Sequence, residues 1–158
     1  MKDPLVLLVD DDEDFLHIAC RAIRREQFPV DVRTMGSGAE ALRFLGLAAN
    51  GHGTPPPPNL VVVFVDLDMP FVTGWEVLRR VRQNVETHDL PVVMVSSSAR
   101  TLDVRHSYDL GANSYLVKQF DPTEPGHFLA RAIRYWCELN RVAGWAPGTE
   151  SYTAGTSS

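Results

Sequence analysis

The run Leu60–Val65 (LVVVFV) constrains this chain more than any other stretch. It is apolar throughout and rich in β-branched side chains, so it has no polar face to offer solvent. Such a segment suits a strand covered on both sides, as in the middle of a parallel sheet. Asp66 and Asp68 follow at once, then Met69, Pro70 and a loop that closes at Gly74. A buried strand that ends in acid presents that acid at the carboxyl rim of the sheet, where open α/β sheets bind ligands. One aspartate there does no more than start a turn. Its meaning depends on what the other strands deliver.

Taken in order, the chain reads βαβαβαβαβα. Leu5–Val9 is a short apolar strand running into Asp10, Asp11, Asp12, Glu13 and Asp14. Acid in a first helical turn favours the helix dipole, which accounts for Asp12, Glu13 and Asp14. It accounts less well for Asp10 and Asp11, which abut the strand. From Phe15 to about Glu26 apolar residues recur at helical spacing (Phe15, Ile18, Ala19, Ala22, Ile23). Val30–Met35 is a second strand, and Ser37 is placed to cap a helix from Ala39 to about Ala48. Asn50–Asn59 (NGHGTPPPPN) reads as a loop, extended by its prolines. It exceeds a minimal connection, and is either a tolerated insertion or an interaction surface.

Trp75 to about Asn84 reads as a helix with Val77, Leu78 and Val81 inward. Pro91–Val95 is a fourth strand followed by Ser96, Ser97 and Ser98. A polar helix from about Thr101 to Leu110 stops at Gly111. Ser114–Val117 is a fifth strand ending in Lys118, and Phe128 to about Val142 is a last amphipathic helix carrying Trp136. The alternation predicts a flavodoxin-like, doubly wound five-stranded parallel sheet of order 2-1-3-4-5 with five helices and right-handed crossovers. Residues 1–143 would form this domain. Residues 144–158, rich in Gly, Thr, Ser and Ala around Trp145 and Tyr152, would be a flexible tail with no output domain.

The totals exclude several classes. A net charge of -5 and pI near 5.5 argue against a nucleic-acid-binding surface. No apolar run reaches membrane-spanning length and no signal-peptide layout precedes the first strand, so a cytoplasmic protein is expected. Cys20 and Cys137 fall on apolar helix faces and read as reduced core residues. Of fifteen cationic residues only Lys2 and Lys118 are lysine. Against that bias a lysine at a strand end asks for a reason.

In a 2-1-3-4-5 sheet, strands one and three are neighbours, so Asp10, Asp11 and Asp66 converge, flanked by Ser96 and Lys118. Two like charges about 4 Å apart repel by roughly 4 kcal/mol at an effective dielectric of 20. Either one carboxyl holds a proton or a cation sits among them. Oxygen ligands without nearby His or Cys suit Mg²⁺ or Mn²⁺, which share their shell with phosphate. Lysine supplies a mobile point charge for a phosphoryl oxygen and serine a hydrogen bond. The set describes phosphoryl transfer onto a carboxylate nucleophile, with Asp66, on the central strand, as that nucleophile.

Val9–Asp11 (VDD), Asp66–Pro70 (D-x-x-M-P), Ser96 after PVVMV, and GANSYLVK ending at Lys118 resemble the receiver domain of bacterial two-component response regulators, over about residues 5–142. The resemblance implies that Asp66 accepts a phosphoryl group from a sensor histidine kinase. It implies that Asp10, Asp11, Asp66 and the backbone carbonyl of Asp68 hold Mg²⁺, and that Ser96 and Lys118 contact the phosphoryl group. Tyr115 would change rotamer as Ser96 moves, and Asp68 and Ser98 would tune dephosphorylation. Gln119 departs from the pattern. Receivers commonly have proline there, with a cis peptide that helps place the lysine. A cis bond before a non-proline residue costs ~2.5–4 kcal/mol, so the site either stores strain or is rearranged.

The long 50–59 loop, ANSYLVK and the Tyr135-Trp136 pair are similar to single-domain regulators that partner bacterial phytochrome kinases. The signal would leave through helix four, strand five and helix five, including Tyr115 and in one reading Trp136, and a homodimer through this region is expected. Two rivals remain at this point. VFVDLD also resembles the D-x-D loop of haloacid-dehalogenase-type phosphatases, although Met69-Pro70 replaces their Gly-Thr and the acidic pair lies upstream. A receiver-shaped binding module that is never phosphorylated is the other.

Overall fold

Alternate side chains of the inner strands enter two separate cores, one on each side of the sheet. A computed structural model describes residues 2–51 and 53–141. The order is β1 (Leu5–Val9), α1 (Glu13–Arg25), β2 (Asp31–Met35), α2 (Gly38–Phe44), β3 (Leu60–Asp66), α3 (Gly74–Gln83), β4 (Val92–Ser96), α4 (Thr101–Asp109), β5 (Ser114–Val117) and α5 (His127–Arg134). All five strands are parallel, in the order β2-β1-β3-β4-β5. This is the doubly wound sheet the alternation predicts.

Leu5, Leu7 and Val9 of β1 pack with Val63, Val65, Val92 and Met94 beneath α2 and α3. Val6 and Leu8 pack with Val62, Phe64, Val93 and Val95 beneath α1 and α5. β1 and β4 are buried along their whole length, and β3 at every position but Val61. Sequences apolar at every position are what such strands require. β2 and β5, at the edges, keep mixed exposure. Leu5–Val9 and Leu60–Val65 therefore contribute the continuous apolar floor under the acidic rim.

Several boundaries differ from the sequence reading, each for a local reason. β3 and β4 keep Asp66 and Ser96 within the strand, because Asp66 pairs with Val95 and Ser96 with Val117. α2 ends at Phe44, where Gly46 turns at φ 75° and the Leu47 amide closes back on the Leu42 carbonyl at 2.7 Å. The last helix changes at Tyr135 to a wider π-helical turn, Tyr135–Leu139, closed by the Asn140 amide on the Tyr135 carbonyl at 2.9 Å. The proposed tail, with Trp145 and Tyr152, lies outside the described residues.

The 50–59 loop is tied to the sheet at its far end. The Leu5 amide donates to Asn59 O, the Asn59 side chain to Asp3 O, and the Leu60 amide to Pro57 O. Gly53 lies against Gly46 so closely that a Cβ on Gly53 would sit 2.1 Å from the Gly46 carbonyl oxygen. Cys20 and Cys137 are free thiols, half-buried rather than fully enclosed. Burial pushes the Cys137 thiol up to about 12, and the Cys20 thiol is also raised, by burial first. Trp136 packs partly against the α1–α5 core and meets the Tyr135 ring edge-on at 5.5 Å.

Candidate functional site

Strand register assembles the site. Val9 pairs with Val65, so Asp10 and Asp66, each one residue further, leave adjacent strands side by side. Asp66 pairs with Val95 and Ser96 with Val117, which sets Ser96 and Lys118 one step further across the same rim. Backbone hydrogen bonds lock both ends: Asp10 N donates to Met35 O at 3.0 Å, and Lys118 N to Ser96 O at 2.8 Å.

One carboxylate oxygen each from Asp10, Asp11 and Asp66 lies within 4.8 Å of the others. Asp10 and Asp66 are buried, 2% and 6% exposed, whereas Asp11 faces solvent. Asp10 Oδ1 accepts from the Asp12 amide at 2.9 Å. Asp10 Oδ2 is buried without a regular hydrogen bond and is met by the Lys118 ammonium at 2.7 Å. That ammonium stands 3.7 Å from Asp66 Oδ1 and 4.3 Å from the centre of the Phe15 ring. Burial, then the negative charge of Asp10, raises the Asp66 carboxyl to about 6, against the pull of Lys118 and an amide hydrogen bond from Asp68. A carboxylate so disfavoured, beside a second buried carboxylate, is what a hard divalent cation among these oxygens would relieve. The donor set fits Mg²⁺ or Mn²⁺.

Asp12 caps α1 by accepting from Phe15 N at 3.2 Å, with Glu13 and Asp14 in the first turn. The dipole account of those three acids holds, and it leaves Asp10 and Asp11 to the site. Asp68 lies exposed just past the strand. The loop between them turns through Phe71, which has φ 67° and a fully exposed ring, with Val72 N bonded to Pro70 O at 2.8 Å. Gly74 then brings α3 against the strand end. A Cβ there would stand 2.2 Å from Asp66 O.

Ser96 is fully buried, and its hydroxyl accepts from the Ser98 amide at 3.1 Å. Ser98 is a hub. Its carbonyl accepts from the Tyr115 phenol at 2.8 Å, and its hydroxyl donates to Asp103 Oδ2 at 2.5 Å. From α4 the chain of contacts continues: Ser107 Oγ donates to Asp103 O, and Trp75 Nε1 of α3 donates to Ser107 Oγ at 2.9 Å. Tyr115 is half-buried against the α2–α3 core. No cis peptide occurs among the described residues, and Lys118 reaches the acids with a trans bond to Gln119. Sequence reasoning missed Phe15 as a neighbour of Lys118 and missed Asp103 and Ser107 altogether. Their role depends on side-chain reach across elements, which leaves no periodic signal.

The profile of the response regulator receiver domain family matches residues 6–126. The chain belongs to this family. As a receiver domain it is 30% identical to response regulator Rcp1 of Synechocystis sp. over 134 residues, 85% of this chain and 89% of that protein. The Mn²⁺-bound form of response regulator Rcp1 superposes with a TM-score of 0.73 at 25% identity, covering 88% of this receiver and 98% of that chain. The bacteriophytochrome response regulator RtBRR is 32% identical, with a TM-score of 0.65, covering 94% and 86%. Receiver domains are signalling modules of two-component systems. The receiver match covers most of the chain, whereas the D-x-D likeness covers one loop.

Proposed function

We propose that this receiver takes a phosphoryl group onto Asp66 from the phosphohistidine of a sensor histidine kinase, in the manner of a single-domain response regulator. The observation that carries this reading is the meeting of three carboxylates with the Lys118 ammonium at one strand-end rim. An Asp66 carboxylate oxygen forms a bond to phosphorus as the P–N bond breaks, and the imidazole leaves with the electron pair. Asp10, Asp11, Asp66 and the backbone carbonyl of Asp68 would hold Mg²⁺ or Mn²⁺, which when bound offsets charge on the phosphoryl oxygens. Lys118 exchanges its contact with Asp10 for one with the phosphoryl group. Ser96 gives up the Ser98 amide and turns its hydroxyl to a phosphoryl oxygen.

Output follows from that exchange. Ser98 is bound at once to Ser96, Tyr115 and Asp103, so a shift of Ser96 is passed to β5 and α4. The signalling surface is α4, β5 and α5, and a homodimer forms through it. The groove between β5 and the π-helical turn, lined by Leu116, Tyr135 and Trp136, supports that surface. The likeness to a bacteriophytochrome response regulator supports a bacteriophytochrome as the kinase. The reaction runs on the protein's own aspartate and its later hydrolysis, with no turnover of another substrate.

The test is to incubate the protein with acetyl phosphate and Mg²⁺ and follow intact mass and tryptophan emission. The wild type gains one phosphoryl group and changes emission; Asp66→Asn does neither. An Asn variant that gains the group as the wild type does would show that Asp66 is not the nucleophile.

A further inference from the structure

Lys118 stands at the end of an edge strand, and the chain after it gives it little support. Gln119, Phe120 and Asp121 follow it in a loop, and the Phe120 ring is 90% exposed. A lysine on four rotatable methylenes would ordinarily sample many positions. Here its ammonium is bounded on three sides: by Asp10 Oδ2 at 2.7 Å, by Asp66 Oδ1 at 3.7 Å, and by the face of Phe15 with the centroid at 4.3 Å. The side chain is 18% exposed. Phe15 itself is fixed from two directions. Its amide is the one that the Asp12 cap holds, and its ring rests half-buried on the α1–α5 core.

A cation within about 6 Å of a ring centre is attracted to the negative face of the ring, and the attraction grows as water is excluded. The carboxylates hold the ammonium by charge, which acts in every direction. The ring acts only along its normal and takes the place that water would occupy. In the reaction proposed above the ammonium leaves Asp10 for the phosphoryl group while Phe15 stays where α1 puts it. The ring is thus the surface along which the ammonium moves.

We propose that Phe15 is a positioning residue for phosphoryl transfer: its ring keeps the Lys118 ammonium poised between Asp10 and Asp66. This rests on Asp66 being the phosphoacceptor. An aliphatic side chain of similar bulk would fill the space but leave the ammonium to water and to a wider range of positions.

The chain contains only two lysines, Lys2 and Lys118, so a lysine-labelled NMR spectrum separates the site from the terminus. In the wild type the ε-methylene protons of Lys118 resonate upfield of those of Lys2 through the ring current of Phe15. The Phe15→Leu variant loses that displacement and is phosphorylated by acetyl phosphate with Mg²⁺ about three- to tenfold more slowly at saturating donor, the range expected for one such contact. Phe15→Tyr, which keeps the face, restores both. Unshifted Lys118 protons in the wild type overturn the proposal without any variant being needed. So does a Leu variant that keeps pace with the wild type, or a Tyr variant as slow as the Leu one, which would mean that packing alone matters. A wild type that shows the shift but gains no phosphoryl group sinks the phosphoacceptor reading of Asp66 instead, and the positioning role with it.

Discussion

Lys118 Nζ lies 2.7 Å from Asp10 Oδ2, on the oxygen of Asp10 that has no regular hydrogen bond. A divalent ion held by the Asp10, Asp11 and Asp66 carboxylates would compete with that ammonium for the charge of Asp10. Removing the lysine charge should therefore tighten metal binding, even though the proposed phosphoryl contact goes with it. Lys118→Met should bind Mn²⁺ about tenfold more tightly, equivalent to roughly 1.4 kcal/mol. Titration calorimetry of wild type and variant decides it, and equal or weaker binding by the variant refutes the competition.

Metal binding should also stabilise the fold. At about a hundred times its dissociation constant, Mg²⁺ or Mn²⁺ adds roughly 2.7 kcal/mol to unfolding. Thermal melts with and without the ion, compared with Asp10→Asn, supply the measurement. The gain should shrink in the variant, because one of the three carboxylates in the cluster is neutralised.

The raised Asp66 carboxyl fixes a pH dependence. Its ordinary value is 3.8 and in the fold it stands at about 6, so the folded state holds this proton more tightly than the unfolded chain. The associated stability is full below about pH 4 and is lost as pH rises through about 6. At pH 7 without metal, the ionised Asp66 costs on the order of 3 kcal/mol. Asp66→Asn should therefore be more stable than wild type at neutral pH, with the difference closing as pH falls towards 4. Denaturant melts of the pair across that range would expose a flat or inverted difference.

Ser98→Ala removes the hydroxyl that donates to Asp103 and accepts from the Arg100 amide. α4 has no side-chain cap at its start, and its one buried residue is Ser107, the partner of the Trp75 indole. Loss of the tether should destabilise the protein by about 1 kcal/mol. In a background with Trp136 and Trp145 replaced by Phe, it should also alter Trp75 emission in the unphosphorylated protein and reduce the emission change on phosphorylation. Unaltered emission in both states would disconnect α4 from the hub.

Gly74→Ala places a Cβ 2.2 Å from Asp66 O and 2.9 Å from Met94 Cε. The methionine can yield; the strand-end carbonyl can do so only by moving Asp66 itself. A loss of about 2–4 kcal/mol is expected, with slower phosphorylation of whatever folds. A variant of wild-type stability and rate would mean that α3 can shift away freely.

The sequence by itself determined the fold and which residues meet at the strand-end rim. Short, β-branched apolar runs at Leu5–Val9, Leu60–Val65 and Val92–Val95 suit strands buried on both faces, and their alternation with helical stretches predicts the sheet order found. Because these runs and the edge strand Ser114–Val117 each lead into a polar or charged residue, adjacency of strands was enough to bring Asp10, Asp66, Ser96 and Lys118 together. What only the tertiary structure decided is which partner each polar group takes. That Lys118 pairs more closely with Asp10 than with Asp66, that Phe15 lies over the ammonium, and that Ser98 reaches Asp103 all depend on distances of a few ångströms between different elements. Periodicity reports which face of a strand or helix is buried. It carries no information about how far a side chain extends beyond the end of its own element, and it is there that this site is built.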